Sequence, residues 1–148
     1  MGAIKGIGTD LVGIARLAEA LDRSPSLARR LFTPAELSSG GDGGTSAPGS
    51  AAHAASPGAA SLAARFAAKE AVIKAIGAAG QSAPPGSVPP PPPSWRYTEI
   101  EVVSSPGSPP RLALHGAVAR HAAALGITAW HLSLSHDAEA ALAFVVAE

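Results

Sequence analysis

Apolar and polar positions along the chain follow two rhythms, one of period two and one of helical period, and together they divide it into short elements. Ile4 to Val12 reads as a strand with Asp10 near its end. Gly6 and Gly8 weaken its strand propensity, which points to close approach by another backbone or by a ligand. Ile14 to Leu21 is helical in pattern, and Ser24-Pro25 breaks it before a short turn at Leu27 to Leu31. Thr33-Pro34-Ala35-Glu36 joins an N-cap, a proline at the first helical position and a glutamate three residues past the cap, so a capping box and a short helix are predicted. Leu62 to Ile76, alanine-rich and free of Gly and Pro, is the best-defined helix, with Gly77 as its stop. Tyr97 to Val103 and Arg111 to Leu114 form a hairpin about a turn at Ser104 to Pro110, and Ala117 to Leu125 is a helix ending at Gly126. Ala129 to Ser135 alternates, with Trp130, Leu132 and Leu134 on one face; a turn at His136 to Glu139 leads into a last strand, Ala140 to Val146. Hairpin-linked strands with helices between them indicate an α+β fold with a mainly antiparallel sheet and packed helices.

Two stretches carry neither rhythm: Ser38 to Ser61, almost wholly Ser, Gly, Ala and Pro, and Gln81 to Ser94, which ends in a proline run. Their side chains bury too little apolar surface to offset the ordering of the backbone. The first is expected to be a surface loop, in which His53 has no chemical role, and the second a semi-rigid extended spacer. With these two insertions, residues 1–148 make a single domain of ordinary size. The chain has no cysteine, which removes disulfides, thiolate metal sites and a cysteine nucleophile, and suits a reducing compartment such as the cytoplasm. No stretch is long and apolar enough for a signal peptide or a membrane span, so a soluble protein is expected. Zero net charge argues against a nucleic-acid surface. Arg16, Arg23, Arg29 and Arg30 still gather near the N-terminus; on charge alone they read as a solvated helix surface, with an acidic partner as the functional alternative.

Chemistry enters with Arg65-Phe-Ala-Ala-Lys-Glu70-Ala-Val-Ile-Lys74. On a helix, Phe66, Glu70 and Ile73 fall on nearly one line, so a carboxylate lies within an apolar stripe. Such a group must be paired, bind a cation or take up a proton. Lys74, four residues on, offers an ordinary helical ion pair. Asp10 offers more: a strand-end aspartate meeting a helix glutamate makes the hard oxygen site that magnesium prefers, with phosphate oxygens and water completing its shell. As an alternative, Asp10 caps the following helix. Lys69 and Lys74 are point charges suited to a phosphorylated ligand. Ser133-Leu-Ser135-His136-Asp137 is not a hydrolase triad, because neighbours on a strand point apart. His136 at a turn either meets a phosphate or moves a proton, or is a turn residue beside Asp137. Gly77-Ala-Ala-Gly80 lacks a phosphate-loop pattern and lies at a helix C-terminus, so C-capping is the simpler job for Gly77.

Taken in order, Gly6-Ile-Gly8-Thr9-Asp10, Leu31-Phe-Thr-Pro-Ala-Glu36-Leu, the Arg65 to Gly77 block and Ser133-Leu-Ser135-His136-Asp137 resemble the holo-acyl-carrier-protein synthases, the short trimeric type of 4'-phosphopantetheinyl transferase. The resemblance implies transfer of the 4'-phosphopantetheine arm of coenzyme A to a serine of an apo acyl carrier protein of fatty-acid or polyketide synthesis, releasing adenosine 3',5'-bisphosphate. It further implies a homotrimer with coenzyme A bound between subunits. By the same resemblance Asp10 and Glu70 hold Mg2+, Lys74 contacts the coenzyme's phosphates, Arg65, Gly77 and His136 lie around the cleft, and Arg16 and Arg23 face the acidic carrier protein. Glu70 or a metal-held water takes the serine proton. Three departures stand out: Gly77-Ala-Ala-Gly80 replaces the family's Gly-Thr-Gly, Gly107-Ser-Pro-Pro110 lacks the lysine of its Gly-Lys-Pro turn, and Ser38 to Ser61 replaces what is ordinarily a more structured connection. A module that binds coenzyme A or the carrier without transferring anything is the alternative to an enzyme.

Overall fold

The computed structural model of the chain describes residues 2–39 and 57–148. In chain order the elements are β1 (Gly6–Gly13), α1 (Ile14–Arg23), α2 (Pro25–Leu31), α3 (Pro34–Ser38), α4 (Ala59–Ser82), a 3-10 turn (Tyr97–Glu99), β2 (Ile100–Ser105), β3 (Ser108–Leu114), α5 (Gly116–Ala124), β4 (Trp130–His136) and β5 (Ala140–Ala147). All pairings are antiparallel: β1, β5 and β4 form one sheet in that order, and β2 with β3 forms a separate hairpin. The α+β expectation holds, with two small sheets in place of one. Among the described residues no helix is long and apolar enough to cross a membrane.

Helix α4 lies across the inner face of the three-stranded sheet, and the residues between them are small. Ala141, Ala143, Val145 and Ala147 of β5 are fully buried, as are Ala63, Ala67, Ala68, Ala71, Val72 and Ala75 of α4. Gly6 and Gly8 go further. A Cβ at Gly6 would lie 2.1 Å from the Ala75 carbonyl oxygen, and one at Gly8 would lie 1.8 Å from that of Ala71. The close approach foreseen from these glycines is therefore by a helix backbone. The sheet's outer face is different in kind: Ile7, Leu11, Leu142 and Phe144 stand between 41 and 67 % exposed.

Several predicted boundaries move. Helix α4 starts at Ala59, inside the supposed loop, and runs through Gly77 to Ser82, so Gly77 is a helix-interior residue and not a C-cap. Continued burial of Ile76 and Ala79 outweighs a glycine cost of about 1 kcal/mol, and the helix stops just before Pro84. Strand β1 extends past Asp10 to Gly13, which pairs with Ala140; Gly13, not Asp10, precedes helix α1. Tyr97 opens a 3-10 turn because its carbonyl bonds to the Ile100 amide, and β2 begins there instead. Leu27 to Leu31 belongs to a full helix, α2, with Pro25 in its first turn. The capping box at Thr33 and Glu36 forms as read. Residues 40–56, with His53 and most of the supposed loop, lie outside the described residues.

Candidate active site

The glycine contacts that seat β1 on α4 also set the first candidate group. With Gly6 against Ala75 and Gly8 against Ala71, the next residue on that face of the strand, Asp10, meets the helix at Glu70 and Lys74. Lys74 Nζ donates to Asp10 Oδ1 at 2.7 Å and to the Thr9 carbonyl at 2.9 Å. The ordinary helical pair between Glu70 and Lys74 does not form; the lysine reaches across to the strand. Glu70 Oε1 instead accepts from the Tyr97 hydroxyl at 2.6 Å. Asp10, Arg16, Phe66, Glu70 and Tyr97 line one cavity of about 430 Å³. Among the described residues, the second oxygen of each carboxylate makes no hydrogen bond.

Tyr97 was not foreseen as a site residue. It is the chain's single tyrosine, but nothing in its local pattern says that it will face α4. Burial, then the hydrogen bond to Glu70, then the charges of Glu70 and Asp10 push its phenol up to about 12. At neutral pH it is therefore a proton donor to Glu70.

The other predicted residues lie elsewhere in the chain. Arg65 and His136 line a second cavity of about 390 Å³ together with Ser39, Ser61, Ser104 and Ser108. Arg65 is buried there, its guanidinium donating to the Glu36 carbonyl at 3.0 Å and to Ser39 Oγ at 2.7 Å. His136 is exposed at the end of β4, and Asp137 Oδ1 accepts from the amides of Glu139 and Ala140 in the turn beyond it. Those two amide bonds hold the Asp137 carboxyl below its ordinary range. Gly77 borders a third, more apolar cavity with Ile73, Trp95 and His121. Arg16 and Arg23 are exposed and make no ion pair among the described residues.

Lys69 corrects an expectation outright. It is fully buried, donates to Glu36 Oε2 at 2.8 Å, to the Tyr97 carbonyl at 2.9 Å and to the Ile100 carbonyl, and so has no donor left for a ligand. Burial lowers its affinity for a proton, against the raising effect of Glu36.

A single chain thus presents two spare carboxylate oxygens in one cavity and a buried arginine with an exposed histidine in another. A family model described as the 4'-phosphopantetheinyl transferase superfamily matches residues 6–145. The chain belongs to this superfamily. Within it, the chain is 44% identical over 145 residues to the holo-[acyl-carrier-protein] synthase of Beutenbergia cavernae, covering 98% of each sequence. Among solved structures it resembles the acyl carrier protein synthase of Mycobacterium tuberculosis, with a TM-score of 0.65, 33% identity, and 99% and 98% of the two chains covered. It likewise resembles an ACPS–CoA complex from Chronobacterium ammoniagenes, with a TM-score of 0.67, 32% identity, and 99% and 97% coverage.

Proposed function

We propose that the chain is a magnesium-dependent holo-acyl-carrier-protein synthase, acting as one phosphopantetheinyl transferase domain over residues 1–148 in the cytoplasm. The observation that carries the reading is that Asp10 and Glu70, far apart in sequence, line one cavity, each with an unengaged carboxylate oxygen. Two carboxylates with open positions left for phosphate and water are the donor set that Mg2+ takes, so the residues fit the ion. When bound, the cation supplies neutralisation of the charge that builds on the phosphate oxygens during transfer.

The remaining steps fall to the chain's own residues and to the substrate. The carrier serine oxygen attacks the coenzyme A phosphorus that bears the pantetheine arm; a new P–O bond forms, and the bond to the departing adenosine 3',5'-bisphosphate breaks. The serine proton passes to Glu70 or to a water beside it in the cavity. Lys74, half exposed beside Asp10, exchanges that partner for the coenzyme's phosphates. Gly77, three residues on and exposed, leaves that side of α4 without a side chain in the coenzyme's way. Arg65 and His136 serve the coenzyme from the second cavity. Arg16 and Arg23, seven residues apart on α1, present positive charge to the acidic carrier protein beside the Asp10 cavity.

The two cavities sit at opposite edges of the three-stranded sheet, Asp10 on β1 and His136 on β4. One complete site needs both, which favours a homotrimer with each site shared by two copies. The outer sheet face, with Ile7, Leu11, Leu142 and Phe144 exposed, is the apolar surface suited to that contact. The decisive experiment incubates the protein with apo carrier protein, coenzyme A and Mg2+ and reads intact mass. Gain of the phosphopantetheine mass on the carrier supports the enzyme; an unchanged carrier mass with coenzyme bound leaves only a binding module. A fully active monomer by light scattering would remove the shared site.

A further inference from the structure

Tyr97 is held at both ends. Its backbone carbonyl accepts from buried Lys69 Nζ at 2.9 Å, its ring packs on Phe66 with centroids 5.5 Å apart, and its hydroxyl donates to Glu70 Oε1 at 2.6 Å. Lys69 and Glu70 are neighbours on α4, so the same helix that carries the carboxylate also fixes the residue that contacts it. A glutamate side chain has three rotatable bonds, and its head group wanders unless a fixed donor engages one oxygen. Here one oxygen is engaged, and the other is left open in the cavity that Asp10 lines. The ring alone would pack equally well as phenylalanine; only the hydroxyl reaches Glu70.

We propose that Tyr97 is a positioning residue for the transfer reaction: its hydroxyl locks the Glu70 carboxylate so that Oε2 stays open to the divalent cation shared with Asp10. This rests on the reading of Asp10 and Glu70 as the cation site. Groups that orient a ligand from behind typically change metal affinity by about 10-fold or more when removed.

The test uses the full chain and Mn2+ as the probe, with free Mn2+ measured by electron paramagnetic resonance, beside thermal unfolding and steady-state transfer. Tyr97→Phe is expected to weaken Mn2+ binding about 10-fold with an unchanged melting temperature. The Mg2+ concentration giving half-maximal rate should rise in parallel, with kcat largely restored at saturating Mg2+ and KM for the carrier protein unaltered. If Tyr97→Phe binds Mn2+ as the parent does while Glu70→Ala does not bind it, the positioning role falls and the cation site stands. If Asp10→Ala and Glu70→Ala both bind Mn2+ like the parent, the cation site falls and takes this inference with it. Weaker binding accompanied by a lowered melting temperature would make the hydroxyl structural and overturn the proposal.

Discussion

Helix α4 carries two lysines five residues apart, each paired with a carboxylate from a distant element, and the two pairs have opposite characters. Lys69 and Glu36 meet at 2.8 Å with neither side chain exposed. Every ammonium donor is used, and the Glu36 carboxylate also accepts from the amides of Thr33 and Val102. Lys74 and Asp10 meet at 2.7 Å with the lysine 53 % exposed, and the carboxylates around them keep oxygens to spare. Distance does not separate a structural charge from an available one, since both pairs are equally short. Saturation does: a fully bonded buried pair joins α3, α4 and β2, and an incompletely bonded pair at a cavity can still accept a ligand.

The largest effect should come from breaking the saturated pair. Glu36→Ala or Lys69→Ala strands a buried charge, at a cost of about 3–5 kcal/mol, or a melting temperature lowered by about 10 °C in a chain of this size. A thermal scan reads this directly, and a variant that melts with the parent would show that the pair is not structural. Next come Asp10→Ala and Glu70→Ala, expected to reduce transfer by about 100-fold or more, at least the loss typical of an outer-shell partner; Asp10→Ala should cost stability only about 1 kcal/mol or less, since its Lys74 partner is half exposed. Transfer at parental rates in both would end the contrast between the two pairs. Reversing Arg16 and Arg23 to Glu should raise KM for the carrier about 10-fold, equivalent to about 1.4 kcal/mol, and leave coenzyme binding alone; equal losses in both would remove the docking role.

The smallest effect is spectroscopic. Because Tyr97 is the only tyrosine, phenolate absorbance reports it alone. Its ionisation is raised to about 12, so the folded protein keeps the proton where an unfolded chain would release it. Stability is therefore independent of this group below pH ~10 and falls as pH rises from there toward 12. In Glu70→Ala the midpoint should move down but only part of the way, because burial, the largest cause, remains. An unmoved midpoint would separate Tyr97 from Glu70.

Much of this was legible beforehand wherever one local rule sufficed. The capping box at Thr33 and Glu36, the turn at Gly126 and the alternation of Trp130, Leu132 and Leu134 each follow from a few adjacent residues. Asp10 and Glu70 were paired on chemistry and resemblance, and the fold brings both to one cavity. What escaped depends on long-range packing. Lys69 and Lys74 look alike in sequence, yet one points at α3 and β2 and the other at β1. Local sequence shows Glu36 only as a cap, because its second role needs Lys69 from 33 positions away. At Gly77 local propensity signals a stop, which the burial of Ala79 overrides. Tyr97 had no local signal.

The contact of Gly6 and Gly8 with the carbonyls of Ala71 and Ala75 has a mechanical corollary. Strand and helix touch main chain to main chain, with no side chain between them whose rotamer could absorb a displacement. Any sliding of α4 along its axis is passed directly to the backbone that carries Asp10 and Glu70, so the two acidic groups are mounted on opposite jaws of one stiff vice.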